Sequence, residues 1–382
     1  MRVAMNASSL TSALTGLGQY TFHLSSALMN SRLVDMNFFY QNHWSNALEL
    51  NSTIGSKLPN LSKLRLFFRD HVPLAYDLKR SWMQRNFSRG ISNKRCELYH
   101  EPNFLAFDVD VPTVITVHDL SWIKFPEVHP QSRVRAMNKY FERGLSQSSF
   151  LITDSAYVRD EVVDVFGYPE ERIKSIPLGV DASFMPRSSD QTIEVLERHA
   201  LKHGSYILLV GTIEPRKNIT TALEAFMALP KKMRLEVPLV LVGMRGWLHD
   251  ELDIRLNSLI ASGEVRRLGY VPQADLPFLF SGALTLVFPS IYEGFGLPPL
   301  EAMASGVPVI TSHASSIPEV VGLGGLMFDP RDVFGFSGSM RELIANRSRR
   351  DALGELALEQ SKRFSWERCA MDTLGIYHQV IY

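Results

Sequence analysis

The stretch from Ala283 to Ile310, ALTLVFPSIYEGFGLPPLEAMASGVPVI, constrains the fold more than any other part of this chain. Its apolar run, Ala283 to Pro289, has the length and composition of a buried parallel strand. A loop with Glu293, Gly294, Phe295 and Gly296 follows. Pro298 and Pro299 suit the first positions of a helix, where proline presets φ and its missing N–H has no partner to lose. The spacing predicts a short helix over 299–305, stopped by Gly306, and another strand from Val307 to Ile310. Glu293 then lies in the loop and Glu301 in the first helical turn. A glycine-lined helix N-terminus favours an anion. Carboxylates only accept, so they suit sugar or ribose hydroxyls. The plain alternative is a strand, loop and helix with two solvated glutamates, but adjacent glycines and prolines at such spacing seldom coincide by chance.

Residues 292–301, Tyr-Glu-Gly-Phe-Gly-Leu-Pro-Pro-Leu-Glu, resemble the paired-glutamate signature of retaining glycosyltransferases of family 4. The trailing Ala-Ser-Gly-Val-Pro-Val matches as well. The resemblance covers most of the chain. It implies an α/β protein of the GT-B fold, two Rossmann-like parallel-sheet domains facing each other across a cleft.

The size agrees with two domains. At 382 residues the chain exceeds one ordinary domain, and two of about 190 residues are expected. We place an N-terminal domain over 1–185, a C-terminal domain over 186–364, and a final helix, about 365–382, that packs back on the first. A hydrophobic share of 45% supplies two cores. Forty basic residues against forty acidic ones disfavour nucleic acid as a partner. Cys96 and Cys369 make no disulfide framework or zinc site, which fits a reducing compartment. No signal peptide and no apolar run long enough to span a bilayer is present, so a cytoplasmic protein is expected.

Along the chain, strand–helix alternation runs through both halves, as in sheets covered on both faces. The first strand, 2–5, leads into a loop over 6–19 containing Thr15-Gly-Leu-Gly-Gln-Tyr20, ahead of a helix over 20–29. Gly16 and Gly18 form half of a dinucleotide fingerprint, with Thr21 at the third position. They are read either as a loop near phosphate or as a turn needed for backbone shape. Residues 61–95 are rich in Lys and Arg, balanced only by Asp70 and Asp77, with Phe67, Phe68, Trp82 and Phe87 interleaved. This composition fits an anionic membrane surface and a solvated helix pair equally well. Val111 to His118 is a β-branched strand, and His118 stands at its carboxyl end, where open α/β sheets bind ligands. Asp108-Val-Asp110 precedes its strand and is read as a polar loop, with no metal expected. Asp154 or Ser155 caps a helix. Residues 181–189 read as the linker. In the second half, Tyr206 to Gly211 is a buried strand followed by Glu214-Pro-Arg-Lys-Asn218. Arg216 and Lys217 there converge with a helix N-terminus into a diphosphate clamp that needs no magnesium or other metal cofactor.

The family resemblance implies roles for these residues. Lys217, assisted by Arg216, would hold the donor diphosphate. Glu293 would take hydroxyls of the donor sugar beside the backbone of Phe295, Gly296 and Leu297, and Glu301 would take the ribose. The glycine loop with Gly16 and Gly18 would reach the diphosphate, and His118 would face the sugar from the first domain. Together with Val-His-Asp-Leu and Glu-Pro-Arg-Lys-Asn, it resembles the branch of bacterial O-antigen mannosyltransferases. The implied activity is retaining transfer of mannose from GDP-mannose to a lipid-linked glycan in lipopolysaccharide synthesis, at the inner face of the cytoplasmic membrane. Alternatives are another nucleotide sugar such as a UDP-sugar, an epimerase or hydrolase of nucleotide sugars, and a non-catalytic binding subunit of a glycan assembly complex.

Overall fold

A computed structural model describes residues 1–11, 16–50, 73–244 and 250–382. The chain divides into two compact units, Met1–Gly179 with Trp366–Tyr382, and Val180–Ser365. The expected linker, 181–189, packs instead into the second unit. Phe184 is buried in its core against Phe280, at 5.4 Å between ring centroids, and the Arg187 N–H donates to Ser281 Oγ at 2.7 Å.

The first unit is built on a seven-stranded sheet in the order β3-β2-β1-β4-β5-β6-β7. The strands are β1 Arg2–Asn6, β2 Asp35–Phe39, β3 Trp44–Ser45, β4 Leu98–Glu101, β5 Thr113–Val117, β6 Phe150–Thr153 and β7 Ile173–Ser175. All neighbours pair in parallel except β2 with β3. Every residue of β4, β5 and β6 is buried, as expected of strands covered on both faces.

The first helix runs Gly16–Ser31, so Gly16 and Gly18 are not in a loop. Glycine favours helix poorly, but Tyr20, Thr21, Leu24, Ser25 and Leu28 form one buried face that decides the matter. Gly18 is buried on that helix. The last helix, Trp366–Ile381, belongs to this unit. Trp366 stacks on His23 at 5.2 Å, and Tyr377 meets His100 Nδ1 at 2.6 Å in a fully buried contact.

Part of the basic stretch, residues 61–72, lies outside the described residues. The remainder is mostly one helix, Pro73–Lys94. Phe87 and Ile91 turn into the core with Tyr99 and Phe107. Leu78 and Trp82 point outward, as do Arg85 and Arg89. The helix thus has a packed face and an exposed apolar-basic stripe.

The second unit carries a six-stranded, all-parallel sheet in the order β10-β9-β8-β11-β12-β13. Its strands are β8 Ile207–Val210, β9 Leu239–Val242, β10 Val265–Gly269, β11 Thr285–Phe288, β12 Val309–Ser312 and β13 Gly325–Phe328. Alternate residues of β8 feed two separate cores: Leu208 joins Val240, Leu286 and Phe288 on one face, and Ile207 and Leu209 join Phe226 and Leu256 on the other. Strand order reverses between β1 and β4 in the first sheet and between β8 and β11 in the second. Chain segments leaving two such strands diverge and leave a crevice at their carboxyl ends, where α/β proteins bind ligands.

The backbone is tightest at one such end. Gly243 follows β9 with φ +146°, and an added Cβ would stand 2.0 Å from the Gly211 carbonyl oxygen beyond β8. Gly243→Ala is expected to cost roughly 1–3 kcal/mol of stability from backbone strain, read as a lower urea midpoint. An unchanged midpoint would show that this crossing relaxes freely.

Candidate active site

Beyond β8, Pro215–Lys217 makes a single 3-10 turn, and Asn218 closes it in the left-handed region at φ 53°. Asparagine tolerates that conformation, and its side-chain amide reaches other loops. Asn218 Nδ2 donates to the carbonyls of Pro289 at 3.0 Å and Pro330 at 2.6 Å. The Ile291 N–H donates to the Arg216 carbonyl at 2.9 Å. These bonds join the turn after β8 to the loop after β11, across the switch point.

The charged groups meet there. Lys217 Nζ donates to Glu293 Oε1 at 2.6 Å, and Arg216 Nη1 to Glu293 Oε2 at 3.2 Å. Arg216 is held from two other sides, donating to the Tyr292 carbonyl at 2.9 Å and through Nε to Glu214 Oε1 at 3.0 Å. Lys217 Nζ also lies 5.1 Å from the centre of the Phe288 ring. Glu293 is only 7% exposed. Burial alone would push its pKa up, but Lys217 and then Arg216 outweigh burial and hold it below the ordinary value. Its backbone is fixed too: the Glu293 N–H donates to Ser315 Oγ at 2.8 Å, and Ser316 Oγ donates to the carbonyls of Glu293 and Phe295, each at 2.9 Å.

The following helix runs Leu297–Ala304, starting earlier than expected. Gly296 occupies the cap position at φ +116°, where an added Cβ would meet Ile317 Cδ1 at 2.8 Å, so Leu297 becomes the first helical residue. Glu301 consequently falls beyond the first turn, and its carboxylate is set less by the free N–H groups than the sequence suggested. Phe295 turns its ring inward against Phe364, at 5.8 Å, leaving its backbone as the part available to a ligand.

Glu301 is half-buried, and burial, reinforced by Asp181, raises its pKa to about 8. The folded state therefore binds a proton that the unfolded chain releases near pH 4.5. Between those values stability falls as pH rises. Replacing Glu301 by Gln is expected to flatten the fall in melting temperature from pH 5 to pH 8. Parallel curves for the two proteins would exclude this source.

In the first unit, His118 follows β5 and is 8% exposed. Its Nδ1 lies 2.7 Å from Asp154 Oδ2 and its Nε2 2.8 Å from the Pro102 carbonyl oxygen. The Tyr20 ring meets it edge-on at 4.8 Å. Ser155, not Asp154, caps the next helix, accepting from the Val158 N–H at 3.2 Å. Asp108 pairs with Arg143 at 2.6 Å.

The structure thus gathers Arg216, Lys217 and Glu293 into one cluster, with Phe295, Gly296, Leu297 and Glu301 on the adjoining loop and helix. Gly16, Gly18 and His118 belong to the other unit. Sequence reasoning passed over Glu214, Asn218, Ser315 and Ser316, which hold the cluster in place, and read Asp154 only as a candidate helix cap rather than as the partner of His118. Glu214 and Asn218 stood inside the motif already singled out. Asp154 is 36 positions from His118, and no spacing rule links such a pair.

Solved structures share this architecture. The glycosyltransferase WaaG, involved in lipopolysaccharide biosynthesis, superposes with a TM-score of 0.72 at 16% identity, over 98% of this chain and 99% of that one. HepE of Anabaena, solved with UDP-glucose, gives a TM-score of 0.72 at 17% identity, over 99% and 100%. The two units and their sheets have the GT-B fold.

Family membership follows from sequence. The model for glycosyl transferases group 1 matches residues 194–360, and that for glycosyltransferase family 4 matches residues 15–184. O-antigen chain mannosyltransferase B of Escherichia coli is 37% identical over 366 residues, 95% of this chain and 96% of that protein. The serotype-specific mannosyltransferase WbdA of Escherichia coli is 33% identical over 69% of this chain, which spans 33% of that longer protein. The chain belongs to the family 4 glycosyltransferases.

Proposed function

We propose that this glycosyltransferase moves mannose from GDP-mannose onto a lipid-linked glycan in O-antigen synthesis, with retention at the anomeric carbon. The observation that carries the reading is Glu293 buried between Lys217 and Arg216 at the switch point of the second sheet. An acid and two cations in one place suit a ligand that joins hydroxyls to a diphosphate. On donor binding, Lys217 exchanges Glu293 for phosphate oxygen, and Glu293 becomes free to accept from sugar hydroxyls. Positive charge beside the diphosphate then counts most as the glycosidic bond breaks and charge gathers on the leaving group. Lys217 and Arg216 supply that charge without a metal in this reading. Glu301 takes the ribose, and the backbone of Phe295 to Leu297 lies beside the donor. His118, with Gly16 and Gly18, serves the donor from the first unit.

The mannosyl assignment is supported by the names of the two Escherichia coli relatives. No helix among the described residues is long and apolar enough to cross a membrane. For a lipid-linked acceptor, the exposed Leu78, Trp82, Arg85 and Arg89 stripe offers contact with an anionic inner leaflet. The donor assignment is tested by label transfer from a panel of nucleotide sugars to a lipid-linked acceptor. Turnover with GDP-mannose is expected; turnover with a UDP-sugar alone, release of free sugar, or a new nucleotide sugar without glycan product would each remove it.

A further inference from the structure

Both ring nitrogens of His118 are committed to its own unit. The Pro102 carbonyl can only accept, so Nε2, at 2.8 Å, carries a proton. At Nδ1, 2.7 Å from Asp154 Oδ2, the shared proton sits on nitrogen or on oxygen. Ordinary proton affinities favour nitrogen, 6.5 against 3.8 for the carboxyl. A charge-assisted bond is also roughly twice as strong as a neutral one. Among the described residues, the neighbours add no competing cation: burial keeps Tyr20 and Cys369 protonated and neutral, and pushes the pKa of His100 down to about 3, leaving it neutral. Asp119, beside His118 in the chain, adds negative charge that favours the cation. The other oxygen of Asp154, Oδ1, is buried with no hydrogen-bond partner among the described residues, so the imidazole is what holds this carboxylate.

We infer that Asp154 is the positioning residue for His118, and that it keeps the imidazole doubly protonated, so His118 meets the donor as a fixed cation and neither takes nor gives a proton in turnover. A base needs a free lone pair at the reacting proton, and here both nitrogens carry protons already bonded to protein oxygens. A cation fixed in advance stabilises charge on a departing diphosphate without reorganising. The pair titrates as a unit. Burial lowers the His118 pKa, but Asp154 outweighs it and leaves the net shift upward, while burial also raises the Asp154 pKa, so the pair keeps its proton to higher pH than a free histidine.

This rests on the reading that puts His118 in the donor site, so the test has one arm independent of activity. In donor-free protein labelled with 15N-histidine, both ring nitrogens of His118 are expected to show protonated shifts through pH 8, the signal being assigned by its loss in His118→Gln. An unprotonated Nδ1 at pH 7 overturns the inference and leaves the placement of His118 standing. The second arm is the pH profile of kcat. In Asp154→Asn the main counter-charge is gone and burial is opposed only by Asp119 and the Pro102 carbonyl, so the limb that falls with rising pH should move down by about one unit or more. Asp154→Glu should restore it. An equal loss at every pH in both variants marks a purely structural role and overturns the inference. Full activity of His118→Ala removes the placement instead, without touching the nitrogen shifts.

Discussion

Lys217→Ala is expected to lower kcat/KM by about 10²–10³-fold, the usual cost of removing one preorganised donor aimed at developing charge. Affinity for the nucleoside diphosphate product should fall with it, because the same ammonium faces the phosphates before and after the bond breaks. The fold should survive, since Glu293 retains Arg216 at 3.2 Å and the Pro215–Lys217 turn is pinned through Asn218. Lys217→Arg is not a neutral control: a planar fork replaces a point charge packed over the Phe288 ring. Steady-state kinetics with the preferred donor, together with calorimetry of diphosphate binding, measure both effects. A Lys217→Ala enzyme within threefold of the parent would take the diphosphate away from this lysine.

Glu293→Gln separates the two jobs given to this acid. In the donor-free protein it leaves Lys217 without its buried counter-charge and Arg216 with Glu214 alone, and breaking such a pair costs on the order of 3–5 kcal/mol. For a unit of this size that lowers the melting temperature by about 6–20 °C, at about 2–4 °C per kcal/mol. Loss of the acceptor for sugar hydroxyls should cut turnover by about 10–100-fold as well. A nucleoside diphosphate brings negative charge back to Lys217 and Arg216. Its stabilising effect should therefore be larger on Glu293→Gln than on the parent, a sign that no general loosening of the fold reproduces. Weaker stabilisation of the variant would mean that the cations do not serve phosphate.

The sequence was most readable where backbone chemistry is local. β-branched and apolar runs bounded by glycine and proline marked β5, β8 and β11, and the strand–helix alternation pointed to parallel sheets, which the structure has except at the antiparallel edge pair β2–β3. Paired glutamates and adjacent cations marked the donor side, because a ligand with phosphate and hydroxyls demands those types close together. Three things were not readable. The helix at Gly16 begins inside a glycine pair because a buried face, Tyr20 to Leu28, overrides local propensity. Residues 181–189 carry the proline and charges of a linker, but Phe184 finds a hydrophobic core no local rule foresees. The ties through Asn218, Ser315 and Asp154 join segments whose spacing is decided only when the strands are ordered.

The central claim is that Lys217 trades Glu293 for the donor diphosphate. The most direct measurement is a crystal structure with a nonreactive GDP-mannose analogue. The account predicts Lys217 Nζ at about 2.7–2.9 Å from a phosphate oxygen, with Glu293 turned to the sugar hydroxyls. A bound diphosphate on other groups, with Lys217 still paired to Glu293 as at 2.6 Å in the free protein, would contradict it.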